Sequence, residues 1–220
     1  MVASRHTGII DGMSRNPTTV SADLHAEFGG IDIYLFDQLQ RGRFDRRRRV
    51  LDAGCGSGRN LGYFLRYGFE IYAADTNPQA LVAIRQLAGA LQVTLPEGRL
   101  HQGPLDSLPW PDQSVDAVIC SAVLHFARDA DDWSAMVRES WRVLAPNGLF
   151  FARLATSIGI EPHLTATVGR VDLPDGSRRY VVDERTLLET TAALGGTLID
   201  PIKTTNVQNL RSMTTWVIEK

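Results

Sequence analysis

Two periodicities alternate along the chain. Four short, nearly continuous apolar runs have the make-up of strands buried on both faces: "VLDAG" at 50–54, "EIYAAD" at 70–75, "VDAVICSAV" at 115–123 and "NGLFFARLA" at 147–155. Between them, residues 60–68, 78–91 and 131–144 carry apolar positions three and four apart, the spacing of one helix face. The last segment sets Trp133, Met136, Val137, Trp141 and Leu144 on a single stripe. Gly68 reads as a helix stop and Pro78 as the first turn of the next helix. "RLHQG" at 99–103 is a weaker strand. Strand, helix and strand in this order predict an α/β chain: a Rossmann-like, doubly wound, mostly parallel sheet with right-handed crossovers.

Both ends of the chain depart from that pattern. Residues 1 to about 18 lack apolar periodicity and are expected to be mobile, with Met13 a conceivable second start. From Thr19 onward, Leu24 and Phe28, then Leu35 and Leu39, lie four apart and predict two short helices divided by Gly29 and Gly30. A further helix is predicted over 181–196, followed by strands "TLIDPIKTT" (197–205) and "MTTWVIEK" (213–220). No helix separates those two, so they are expected to be antiparallel neighbours. The count is then seven strands. "VGRVDLPDGSRRYVV" at 168–182 reads as a hairpin around Pro174, Asp175 and Gly176. The expected organisation is a tail and helical cap over 1–47 and one domain over 48–220, with 155–182 an insertion that is a candidate lid.

A chain of 220 residues, 44% hydrophobic and 22% charged, suits one globular domain with a sizeable core. Its net charge of −2 argues against a surface tuned throughout to nucleic acid or anionic lipid. Arg41, Arg43 and the run Arg46 to Arg49 form the one local basic patch. The longest apolar runs are about half a membrane span, and the start has no charged-then-apolar leader, so a cytoplasmic location is expected. Cys55 and Cys120 form no CxxC pair; they suggest neither a disulfide framework nor a metal site and read as packing residues.

The chemistry gathers around "VLDAGCGSG" at 50–58. Its place, after a strand and before a helix, is where a doubly wound sheet binds ligands. The spacing is Gly54-x-Gly56-x-Gly58, and Arg59 stands where a dinucleotide fingerprint needs its third glycine. No Gly-Lys-Ser/Thr follows, which excludes a phosphate-cradling P-loop. Asp52 ahead of the glycines suits an ammonium and would repel a pyrophosphate. Asp75, at the end of the second strand, can accept both hydroxyls of a ribose. Ribose and ammonium without phosphate describe S-adenosylmethionine.

In "VLDAGCGSGRN", "YAADTNPQAL", "LPWPDQSVDAVICSAVLHF" and "WRVLAPNGLFFARL" the chain resembles the class I S-adenosylmethionine-dependent methyltransferases over roughly residues 48 to 155. The resemblance implies that Asp52, Gly54, Cys55 and Gly56 line the methionine part of the cofactor, with Gly58 and Asn60 completing the loop's share. Asp75 would hold the ribose, with Thr76 and Asn77 beside it near the adenine. Pro104 stands where many members carry an acid for the adenine amino group, so the backbone N–H of Leu105 is left to meet the ring, with Asp106 close behind. Ser121 and Ala122 would pass beneath the sulfonium. His125 follows the fourth strand on the methyl-facing side and is the candidate catalytic base. The implied reaction is direct displacement of the methyl group onto a small-molecule acceptor, with no metal, no membrane partner and no nucleic acid. Two other classes stay open: an RNA or protein methyltransferase docking through the arginine run, and a cofactor-binding protein without transferase activity.

Overall fold

The computed structural model describes residues 20–220; what the sequence suggests for residues 1–18 lies outside the described residues. Helices α1 (Val20–Phe28) and α2 (Ile33–Gln40) are divided at Gly29, which takes φ +63° and returns its N–H to the carbonyl of His25. The alternation that follows is β1 (Arg49–Ala53), α3 (Gly62–Arg66), β2 (Glu70–Asp75), α4 (Pro78–Ala90), β3 (Leu100–Gln102), β4 (Val115–Ser121), α5 (Ala130–Val143) and β5 (Leu144–Ala155). A hairpin of β6 (Gly169–Asp172) and β7 (Arg178–Val181) comes next, then α6 (Glu184–Ala193), β8 (Thr197–Leu198), β9 (Lys203–Val207) and β10 (Arg211–Glu219).

The sheet order is β3-β2-β1-β4-β5-β10-β8, with β9 also paired to β10. The first five strands are parallel, and β10 runs antiparallel to β5 over Met213–Glu219. Among the described residues the sheet has eight strands, where seven were expected. The difference lies in 197–205, which forms two strands, both antiparallel to β10. The last ladder bond before the break is from the Ile199 N–H to the Val217 carbonyl at 3.1 Å; Pro201, two residues on, has no N–H to give, and pairing resumes at Lys203. From β1 the chain builds outward through β2 and β3, then crosses to β4 on the other side. The crevice of the fold therefore opens at the carboxyl ends of β1 and β4, where two crossovers leave the sheet in opposite directions.

Side chains alternate across the strands, as the pleat requires. Val50, Ile71, Ile119 and Phe151 face one layer and bury against Leu35 of α2, Phe64 of α3 and Ile84 of α4. Leu51, Val118 and Phe150 face the other, against Trp133 and Trp141 of α5 and Leu187 of α6. Trp216, fully buried on β10, packs edge-on to Phe150 at 5.4 Å and donates its indole N–H to Thr191 Oγ1 at 3.0 Å. Trp216→Ala is expected to cost about 3–5 kcal/mol, read as a lower urea midpoint with an unchanged m-value. The hairpin forms a separate two-stranded sheet and closes a small apolar cluster of Ile160, Val171, Leu173 and Val181 on Ala155. Among the described residues no helix is long and apolar enough to cross a membrane.

Candidate functional site

The glycine loop is fastened to β2 before it turns. The N–H groups of Gly54 and Cys55 both donate to the carbonyl of Ala74, at 2.8 and 3.0 Å. Gly54 has φ +83°, and a Cβ there would lie 2.4 Å from Val123 Cγ2. Gly58 has φ +77°, and its Cβ would meet Ile84 Cδ1 of α4 at 2.6 Å. Both positions thus exclude a side chain by backbone and by contact. Gly56 differs: a Cβ there would meet nothing within 4 Å. Gly54→Ala is expected to lower the thermal midpoint and to weaken ligand binding, because the loop and Val123 must separate.

Asp75 knits the loop to the next crossover. Its Oδ2 accepts the N–H of Gly56 at 2.9 Å, and its Oδ1 accepts the N–H of Asn77 at 2.9 Å. Asn77 caps α4 by accepting the N–H of Gln79. Two backbone bonds leave lone pairs on the Asp75 carboxylate for a ligand. Gly54, Gly56, Asp75, Thr76 and Leu105 line a cavity of about 820 Å³, a volume that accommodates a nucleoside with its substituent. Ala122 lines it too and holds φ +65°, an uncommon conformation for a residue with a side chain, fixed by its N–H bond to the carbonyl of Arg153.

Asp52 is 2% exposed, and its Oδ2 is buried without a hydrogen-bond partner. Burial pushes its carboxyl up to about 7, with the charge of Asp75 adding to the rise and that of Arg59 opposing it. A buried carboxylate oxygen without a partner is uncommon in a native protein and calls for a donor or a cation beside it.

Other expected site residues are already bonded or buried within the protein. Asn60 Oδ1 accepts the N–H of Asp32 at 3.0 Å and so ties the start of α2 to the loop. Ser121 Oγ accepts from Arg59 Nη2 at 3.0 Å and donates to Asp32 Oδ2 at 3.4 Å. Cys55 and Cys120 are buried thiols; burial raises both, Cys120 to about 12, so neither forms a thiolate near neutral pH. His125 is 6% exposed, and its Nδ1 accepts the N–H of Ala155 at 3.2 Å. Burial first, then the charge of Arg179, brings its imidazole down to about 4. Such an imidazole is neutral at physiological pH and a weaker base than an exposed one.

The cavity wall also contains residues that periodicity did not single out as ligand contacts. Phe126, Arg128, Asp132 and Met136 close it from the side of α5, and Gly103 and Asp106 from the loop after β3. Arg128 is held by Asp132 through both carboxylate oxygens, Nη2 to Oδ1 at 2.8 Å and Nε to Oδ2 at 3.1 Å. The one sequence signal for this pair is its i, i+4 spacing at the start of a helix. The hairpin docks beside it: Arg170 Nη1 donates to the carbonyl of Ala127 at 3.0 Å, and the Arg179 guanidinium lies 4.9 Å from the Phe126 ring centre. The arginine run lies before β1, at the end of the sheet opposite the cavity. Arg41, Arg43, Arg47 and Arg49 there pair with Asp37, Asp200, Glu219 and Asp116.

Residues 51–152 match the family model described as "Methyltransferase domain". The demethylmenaquinone methyltransferase of Deinococcus radiodurans is 38% identical over 104 residues, which cover 46% of this chain and 40% of that protein. The match thus spans less than half of that relative's length. The solved 1,6-didemethyltoxoflavin-N1-methyltransferase of Burkholderia thailandensis, bound to its substrate and S-adenosylhomocysteine, superimposes with a TM-score of 0.61. It is 21% identical, and the match covers 91% of this chain and 86% of that one. The [4+2]-cyclase SpnF superimposes with a TM-score of 0.62 at 17% identity, covering 84% of this chain and 80% of that one.

Proposed function

We propose that this chain, whose residues 51–152 form a class I S-adenosylmethionine-dependent methyltransferase domain, transfers the cofactor's methyl group to a small-molecule acceptor. The observation that carries the reading is the buried, unpartnered Oδ2 of Asp52 behind a loop whose open glycine, Gly56, is held by Asp75. When bound, S-adenosylmethionine supplies a methyl group on a positively charged sulfur, already activated for in-line displacement. Asp52 binds the ammonium of the amino-acid tail and loses the penalty of being buried alone. Asp75 accepts the ribose hydroxyls with the lone pairs its backbone bonds leave free. Leu105 and Asp106 line the cavity, and in this reading the Leu105 N–H meets the adenine edge with Asp106 beside it. Phe126 and Met136 add apolar surface to the cavity wall. Positioning accounts for most of the acceleration such a displacement needs.

His125 serves in this reading as a buried anchor for the β5 end through its bond to Ala155, with no proton to move at neutral pH. His125→Asn should therefore retain most of the turnover, and log(kcat/KM) should show no inflection between about pH 5.5 and 8 that disappears in the variant. A variant with turnover reduced a thousandfold at unchanged cofactor affinity would restore the catalytic assignment. The hairpin, clasped to the Phe126 turn by Arg170 and Arg179, is the candidate lid over the acceptor. Pairing of Arg47 and Arg49 in the run, and of Arg41 and Arg43 near it, with intramolecular carboxylates favours a small acceptor over RNA.

A second reading has a specific observation behind it. A [4+2]-cyclase shares this fold, so the architecture alone does not require methyl transfer. Incubation with methyl-labelled S-adenosylmethionine and a panel of hydroxylated, amino and thiol metabolites separates the two. Label recovered in one acceptor supports transferase activity. Tight cofactor binding without transfer to any acceptor supports the alternative.

A further inference from the structure

We infer that Arg59 holds the carboxylate of the cofactor's amino-acid tail, so that the tail is read as a zwitterion by Asp52 ahead of the glycine loop and Arg59 behind it. This rests on the reading of the cavity as an S-adenosylmethionine site. If Asp52 alone met the tail, the cofactor's carboxylate would lie near two acidic side chains, Asp52 and Asp75, with no cation to balance it. Among the described residues on the cavity wall the arginine is Arg128, and it is held bidentately by Asp132 beside Phe126. Arg59 is differently placed. It follows Gly58 directly, its side chain is 45% exposed, and its Nη2 reaches Ser121, the residue before the cavity-lining Ala122 and Val123.

The charge of Arg59 is also available. Its closest carboxylate oxygen, Asp32 Oδ2, is 3.7 Å away, beyond hydrogen-bonding distance. Asp32 is already satisfied by Arg153 Nη1 at 2.8 Å and by the N–H of Tyr34 at 3.0 Å. Arg59 is thus not required to neutralise it. That Arg59 opposes the upward shift of the Asp52 carboxyl places the two charges within electrostatic reach of each other. A guanidinium offers several N–H donors in one plane, so it can keep Ser121 on one edge and take a carboxylate on another.

The test compares S-adenosylhomocysteine with its decarboxylated counterpart, which keeps the nucleoside, the thioether and the ammonium. Calorimetric titration of the wild-type protein should show the decarboxylated compound binding about 10–100-fold more weakly, the range for losing a hydrogen bond to a charged group. Arg59→Gln should weaken S-adenosylhomocysteine by a similar factor, leave the decarboxylated compound within about twofold of its wild-type affinity, and so erase the difference. Arg59→Lys should recover part of it. Equal wild-type affinities for the two compounds, or a loss in Arg59→Gln that falls equally on both, would overturn the assignment; the first result needs no variant. A wild-type protein that binds neither compound would overturn the S-adenosylmethionine reading itself, and this assignment with it.

Discussion

Asp52→Asn should make the protein more stable at pH 8 and, at the same pH, weaken its grip on S-adenosylhomocysteine. The carboxyl sits near 7 in the folded protein and near 3.8 when exposed. A raised carboxyl favours folding in its neutral form, so its contribution is intact below about pH 4, is lost as pH rises toward 7, and stays lost above. The asparagine carries no such charge and keeps the shape. At pH 8 it should gain on the order of 4 kcal/mol in the protein without ligand, and at pH 4 the gain should nearly vanish. Binding runs the other way. An ammonium pairs with the ionised carboxylate, so wild-type affinity should be level from about pH 7 to 8.5 and fall about tenfold per pH unit below 7, as the group must first lose its proton. The variant's affinity should be weaker at pH 8 and nearly flat with pH. Urea melts and titrations at four pH values check both halves. A destabilised variant, or one that retains the wild-type pH dependence, would remove Asp52 from this role.

Asp75→Ala should weaken S-adenosylhomocysteine by about 1–3 kcal/mol, roughly 5–150-fold, for the loss of hydrogen bonds to a charged acceptor. Its effect has two sources that a second variant separates. The side chain accepts from Gly56 and Asn77, so alanine frees the glycine loop as well as the ribose. Asn at this position keeps one acceptor oxygen and should retain the loop while losing part of the ribose contact, giving an intermediate affinity. A comparison of the nucleoside with its 2′,3′-dideoxy analogue isolates the sugar: the analogue should lose affinity on the wild type and lose little more on Asp75→Ala. Unchanged binding by Asp75→Ala would take the residue out of the site.

The parts of this site that were legible from sequence are those in which neighbours along the chain do the work. Asp52, the three glycines and Asp75 belong to two strand ends, and the turn they make depends on local spacing alone. The order of elements was legible for the same reason: buried strands and one-faced helices leave different periods. Pro201 carried the signal for the eighth strand, since a residue without an N–H cannot continue a ladder, but the apolar residues on both sides read as a single run. What escaped depends on distant partners. Asn60 and Ser121 turn toward Asp32, which lies 28 and 89 positions away in the chain. The burial of His125 and its bond to Ala155 of β5 likewise depend on a segment 30 positions away. Phe126, Arg128 and Asp132 become cavity wall only where the chain after β4 meets the glycine loop and the loop after β3, a placement no local pattern encodes.

The most direct measurement is a calorimetric titration of the purified wild-type protein with S-adenosylhomocysteine at pH 8. Saturable binding at one site per chain, weakened in Asp75→Ala, is the predicted result. An absence of binding at millimolar concentrations of both S-adenosylhomocysteine and S-adenosylmethionine would contradict the assignment of this cavity.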